Sequence, residues 1–111
     1  MKDIEHREQV KFVAWVETNY PEHRIFAIPN GGKRGKVQAM KLKREGVRRG
    51  VPDLFIPSLK LFIEIKKPEG GRVSKEQESW LDYLSEHGYT TGVATGFEAA
   101  KDLFIRVLGI R

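Results

Sequence analysis

The sequence predicts an α/β domain, a small mixed β-sheet flanked by helices in the order α-β-α-β-β-α-β-α, over residues 1–111 as one unit. Three observations carry this reading. Apolar residues recur at helical spacing at both ends of the chain. A central stretch, Val51 to Lys66, has two apolar runs broken by Pro57-Ser58, the pattern of a β-hairpin. A capping box, Ser74 with Gln77 three residues later, opens a helix after that hairpin.

The elements follow in order. Phe12, Val13, Trp15 and Val16, with Ile4 earlier, give a helix from about Asp3 to Asn19, with Asp3 as its N-cap and Pro21 beyond its end. Arg24 to Ile28 reads as a short strand ended by Pro29, and Asn30-Gly31-Gly32 as a turn continued by a basic loop. Lys36 to Glu45 reads as a basic helix stopped by Gly46. In the hairpin, Leu54 and Ile56 on one strand and Leu61, Ile63 and Ile65 on the other form a core face, leaving a charged face opposite. Trp80, Leu81 and Leu84 form the apolar stripe of the next helix, which Gly88 stops. Tyr89 to Thr95 reads as a strand. Phe97 to Leu108 reads as a closing helix with Ala100, Leu103, Phe104 and Val107 inward.

Composition limits the chemistry. With no cysteine, a disulfide framework, thiol catalysis and a cysteine-based zinc site are excluded. The charged N-terminus lacks the apolar stretch of a leader, and no apolar run approaches the ~20 residues of a membrane span, so the expectation is a cytoplasmic protein with no membrane partner. Net charge is +5 but unevenly spread. Between Gly31 and Gly50 stand eight basic residues and one acid, a charge of +7; twelve basic against fourteen acidic residues leave −2 elsewhere. A basic segment on a near-neutral body is the footprint of a polyanion binder. A solvated basic helix is the alternative.

A two-residue turn at Ser58-Leu59 sets Pro57 opposite Lys60 and, counting outward, Asp53 opposite Glu64. Such opposed residues have Cβ atoms roughly 4.5–5.5 Å apart. Two carboxylates at that distance repel, and a hard divalent cation between them removes the penalty. Lys66 lies on the same face, two residues beyond Glu64. Two carboxylates with one ammonium in a basic protein suit metal-dependent attack on a phosphodiester. Mg²⁺ or Mn²⁺ is the expected cofactor, and the Ile65 carbonyl is a further candidate ligand. The alternative is a cross-strand surface ion pair of Lys66, worth only ~0.2–1 kcal/mol.

The flanking residues extend the pattern. Gly50-Val51-Pro52-Asp53-Leu54, Phe62-Ile63-Glu64-Ile65-Lys66-Lys67-Pro68, the loop Gly70-Gly71-Arg72-Val73-Ser74 and Gln77 resemble the VRR-NUC family of the PD-(D/E)xK nuclease superfamily. Pro29-Asn30-Gly31-Gly32 resembles an earlier turn of that family. The resemblance implies a restriction-endonuclease-like core in which Asp53 and Glu64 are the metal-binding acids and Lys66 the catalytic lysine. Gln77 matches a polar position on the following helix, with capping of that helix as its alternative role. The family also places an acid on the first helix. Glu8 is the better match and the expected metal-site member, since it shares a face with Phe12 and Trp15; Glu5, a turn earlier, competes with it. A pair of Glu8 with Lys11 is the alternative.

Phosphate contacts are expected from Lys33, Arg34, Lys36, Lys43, Arg44, Arg48, Arg49, Lys67 and Arg72, by charge rather than by base reading. His6, His23 and His87 lack metal-ligand spacing and read as surface residues. Short stand-alone members of the family resemble phage-type enzymes acting as homodimers on branched DNA. The resemblance therefore implies a structure-selective DNA endonuclease that resolves four-way (Holliday) junctions, in the host cytoplasm if phage-encoded. A nicking or end-trimming nuclease without junction preference and a non-catalytic nucleic-acid-binding module are the alternatives. Phe97, Phe104, Ile105 and Ile110 are candidates for a dimer patch, or ordinary core.

Overall fold

The computed structural model describes residues 3–29 and 35–110, with only the backbone of Asp3. The Asn30-Gly31-Gly32 turn, Lys33, Arg34 and the capping role given to Asp3 lie outside the described residues. Helix α1 (Asp3–Asn19) leads to β1 (Phe26–Ala27), α2 (Lys36–Arg44), β2 (Leu54–Ile56), β3 (Leu61–Lys66), α3 (Lys75–Glu86), β4 (Thr90–Thr95) and α4 (Phe97–Ile110). This is the predicted order.

The sheet runs β1-β2-β3-β4. The first two pairings are antiparallel and β3–β4 is parallel, as a crossover through α3 demands. The hairpin register is the one the turn implies: Leu54 faces Ile63 and Phe55 faces Phe62, so the next pair outward is Asp53 and Glu64. The turn itself is a short 3₁₀ segment, Pro57–Leu59. Lys60 adopts a left-handed φ of 50° and its N–H donates to the Pro57 carbonyl at 3.0 Å. Leu59 is buried, so the turn is anchored by the core.

Two strands are shorter than predicted. β1 spans Phe26–Ala27 rather than 24–28, and β2 begins at Leu54, after Pro52, which has no N–H to give a ladder. Pairing still reaches the site, because the Ile28 N–H donates to the Asp53 carbonyl at 2.8 Å.

One sheet face carries Leu54, Ile56, Leu61, Ile63 and Ile65 against Phe12 and Val16 of α1 and Ala100, Phe104 and Val107 of α4. Phe104 is the centre of an aromatic cluster with Trp15 (5.6 Å) and Tyr20 (5.0 Å). His23 joins it at 6.0 Å and bonds Ser58 Oγ at 2.7 Å. It is half-buried, unlike exposed His6 and His87, which corrects its surface assignment. Of the four apolar candidates for a dimer patch, Phe104 is buried and Phe97 packs on the core, whereas Ile105 and Ile110 are exposed.

The opposite sheet face is aromatic, then acidic. Phe26, Phe55, Phe62 and Tyr89 form a row of ring contacts across it, with Phe55 and Phe62 stacked at 4.1 Å. The next level along the strands carries Asp53 and Glu64. Helix α3 approaches this face closely at Gly50, which has φ +88°. A Cβ there would lie 2.7 Å from the Glu76 carbonyl carbon, so no side chain fits. Helix α2 has no buried residue.

Candidate active site

Asp53 sits just ahead of β2, and its Oδ2 accepts the Ile65 N–H at 2.7 Å. A residue in an extended strand turns its N–H and C=O to the same edge, so the Ile65 carbonyl faces the Asp53 side as well. Glu64, from the middle of β3, is 2% exposed. Its Oε2 accepts from Gln77 Nε2 at 2.8 Å and lies 3.7 Å from Lys66 Nζ. Its Oε1 is buried with no hydrogen-bond partner.

Lys66 is buried, and the glycine loop explains how. A Cβ on Gly71 would stand 2.9 Å from Lys66 Cβ, so only glycine lets the loop fold this closely over the lysine. Gln77 caps its helix, as one reading of it expected, and also reaches Glu64. Its Oε1 accepts the Ser74 N–H at 2.8 Å, completing the capping box, while its Nε2 holds Glu64. The two ends of one amide thus join the start of α3 to the acid of β3.

Burial dominates the titration of the pair. Desolvation, followed by the Asp53 charge, pushes Glu64 up to about 8. Asp53 is also raised, mainly by burial, against the opposing Ile65 hydrogen bond. Two acids held close together, both with raised pKa values, are short of positive charge. That is the environment a divalent cation corrects.

The acid from α1 needs correction. Glu8 does turn inward, but toward α4. Its Oε1 accepts the Phe97 N–H at 2.8 Å and its Oε2 pairs with Lys11 at 3.3 Å. Gly96 offers α4 no side-chain cap, so Glu8 supplies one from another helix, at the positive end of the α4 dipole. The Phe97 bond lowers its pKa. Glu5 is the α1 acid that acts on the pair: its charge raises both Asp53 and Glu64, and its Oε2 accepts the Lys67 N–H at 3.4 Å. Spacing alone brought Glu8 forward. The signal for Glu5 is that it lies one turn nearer the Lys67-Pro68 end of the hairpin.

Among the described residues no three His, Cys, Asp or Glu side chains converge as a complete metal cage. Two carboxylates and a carbonyl form a partial set of hard oxygens, which suits Mg²⁺ or Mn²⁺ because Mg²⁺ ordinarily keeps several waters.

Lys36, Lys43, Arg44, Arg49, Lys67 and Arg72 are exposed. Arg48 is exposed too, but its Nη1 donates to the Lys43 carbonyl at 2.7 Å and to the Val47 carbonyl at 3.4 Å. It closes the C-terminal end of α2, a structural task that charge counting misses.

The VRR-NUC domain matches residues 2–98. The chain belongs to the VRR-NUC domain family. A solved structure described as a VRR_NUC domain protein is similar to it, at 25% identity and a TM-score of 0.79, covering 96% of this chain and 88% of that one. No curated protein matches. VRR-NUC membership gives the chain a nuclease-type function with DNA as the substrate class. Nucleases of this PD-(D/E)xK type generally use divalent metals. No helix among the described residues is long and apolar enough to cross a membrane.

Proposed function

We propose that this VRR-NUC protein is a metal-dependent endonuclease that hydrolyses phosphodiester bonds in branched DNA, including four-way junctions, as a homodimer. The observation that carries the catalytic part is half-buried Asp53 beside buried Glu64, with Glu64 Oε1 unpartnered and Lys66 Nζ 3.7 Å from Oε2. Asp53, Glu64 and the Ile65 carbonyl would hold Mg²⁺ or Mn²⁺, which supplies water activation and charge stabilisation when bound.

The side chains divide the remaining work. The Ile65 N–H fixes the rotamer of Asp53, and the Gln77 amide fixes that of Glu64, so both carboxylates are set before substrate arrives. Lys66 holds the attacking water or a phosphoryl oxygen, and its ammonium stabilises charge as the phosphorus is attacked and one ester bond breaks. Glu5 adds negative charge behind the pair. Exposed lysines and arginines of α2 and the segment after it hold the phosphate backbone. Ile105 and Ile110, both exposed on α4, supply apolar surface for a two-fold partner, and a two-fold dimer presents two equal sites for paired cuts.

The test is cleavage of a labelled four-way junction beside its linear arms, in magnesium and then manganese. Paired symmetric cuts in the junction alone support the whole reading. Equal cutting of all substrates removes structure selectivity, and no cutting in either metal removes the nuclease.

A further inference from the structure

A cavity of about 460 Å³ lies on the sheet face that carries the acidic pair. Ile28, Val51 and Phe62 line it, with Trp80 and Leu84 from α3 and with Arg48. Its place follows from the strand and helix periods. Val51 is two residues before Asp53, Phe62 two before Glu64, and Trp80 one helical turn after Gln77. Alternate strand residues share a face, so the cavity and the acids open on the same side of the sheet. Phe62 and Glu64 are about 6.6 Å apart along the strand.

The lining is aromatic and apolar, yet Trp80 is outside the main core, which occupies the opposite sheet face. Its ring meets Tyr83 edge-on at 5.8 Å and remains partly exposed. The cavity lies in the size range of small-ligand sites. Arg48 and Glu45 both line it, and Lys43, Arg44 and Arg49 flank those two in the chain, so the segment at its edge is net cationic. An occupant that matches both features has a flat apolar face and an adjoining phosphate.

We propose that this cavity takes one unstacked base of the DNA substrate, next to the phosphate being cut, with Trp80 as the stacking surface. The proposal rests on the nuclease reading and deepens it. A base inside duplex DNA must be unpaired and unstacked before it can enter, whereas a base at a branch or flap is already free. The cavity therefore selects branched DNA by structure. It does so without reading sequence, since every base offers a π-face.

The probe is a flap duplex carrying 2-aminopurine at the branch, titrated with the full chain in EDTA so that binding is read without cleavage. Wild type and Trp80→Phe are expected to quench the fluorophore, and Trp80→Ala to leave it bright. Trp80→Ala is also expected to bind the flap about five- to a hundredfold more weakly, with affinity for plain duplex unchanged, which doubles as a check that it is folded. Quenching by Trp80→Ala equal to wild type overturns the proposal, as does equal loss of flap and duplex binding. Cleavage by wild type in manganese is followed in parallel. Intact quenching without cleavage refutes the nuclease reading while base capture stands.

Discussion

At Glu64, folding is linked to one proton. Its carboxyl is raised from an ordinary 4.5 to about 8, first by burial and then by Asp53. Between those values the folded protein binds a proton that the unfolded chain has released. For this group, stability of the metal-free protein is therefore present at low pH and declines as pH rises from 4.5 to about 8. A divalent cation held by Glu64, as proposed, would compete with that proton and remove the decline. Melting temperatures should show a larger rise on adding manganese at about pH 8 than at about pH 5.5, and Glu64→Gln should abolish that difference. A metal-induced rise independent of pH would contradict the assignment of Glu64 as a ligand. Lys66 has a separate role: Lys66→Ala should bind branched DNA nearly as well as wild type and fail to cut it. Parallel loss of binding and cutting would make Lys66 a structural ion-pair partner.

Among the elements, helix α3 ties its own capping to the acidic pair. Ser74→Ala removes one half of the capping box and should cost about 0.5–2 kcal/mol without moving Glu64. Gln77→Ala removes the other half and also the 2.8 Å bond to Glu64, so it should lose stability to a similar degree and cleavage rate in addition. Equal cleavage by the two variants, measured on folded protein well below its melting point, would confine Gln77 to capping. Gly50→Ala should destabilise by about 1–3 kcal/mol, because φ is +88° and the new Cβ meets the backbone of Glu76.

These elements also show how far the sequence could be read. The hairpin register was legible because Pro57-Ser58 pins the turn, and every pair outward follows by counting; Asp53 opposite Glu64 is such a consequence. The opening of α3 was legible because a capping box is local. The choice between Glu5 and Glu8 was not, since it depends on where the N-terminus of α4 docks, 89 residues away. Nor was the use of Arg48, since its partners are backbone carbonyls that any sequence could supply.

At the scale of the whole molecule, the proposed phosphate contacts and the proposed dimer are each open to test. Replacing Lys43, Arg44 and Arg49 together should weaken binding to all DNA structures alike. It should also flatten the salt dependence, the slope of log affinity against log salt falling by about one for each charge removed. Arg48 is left out of that set because its loss would also open the end of α2. Sedimentation velocity should give twice the 12.7 kDa chain mass, and Ile105→Lys with Ile110→Lys should return it to the single-chain value. A monomer in the wild type at micromolar concentration would remove the two-fold arrangement and leave the site intact.

Asp53, Glu64 and Lys66 are assigned above all as one metal-dependent phosphodiesterase centre. The most direct test of that assignment is single-turnover cleavage of a labelled four-way junction in magnesium or manganese by wild type and Asp53→Asn, with binding measured on the same samples. Wild type should cut and should stop in EDTA, and the Asp53→Asn protein should bind the junction but leave it whole. Equal cutting by both proteins would place the chemistry elsewhere in the molecule.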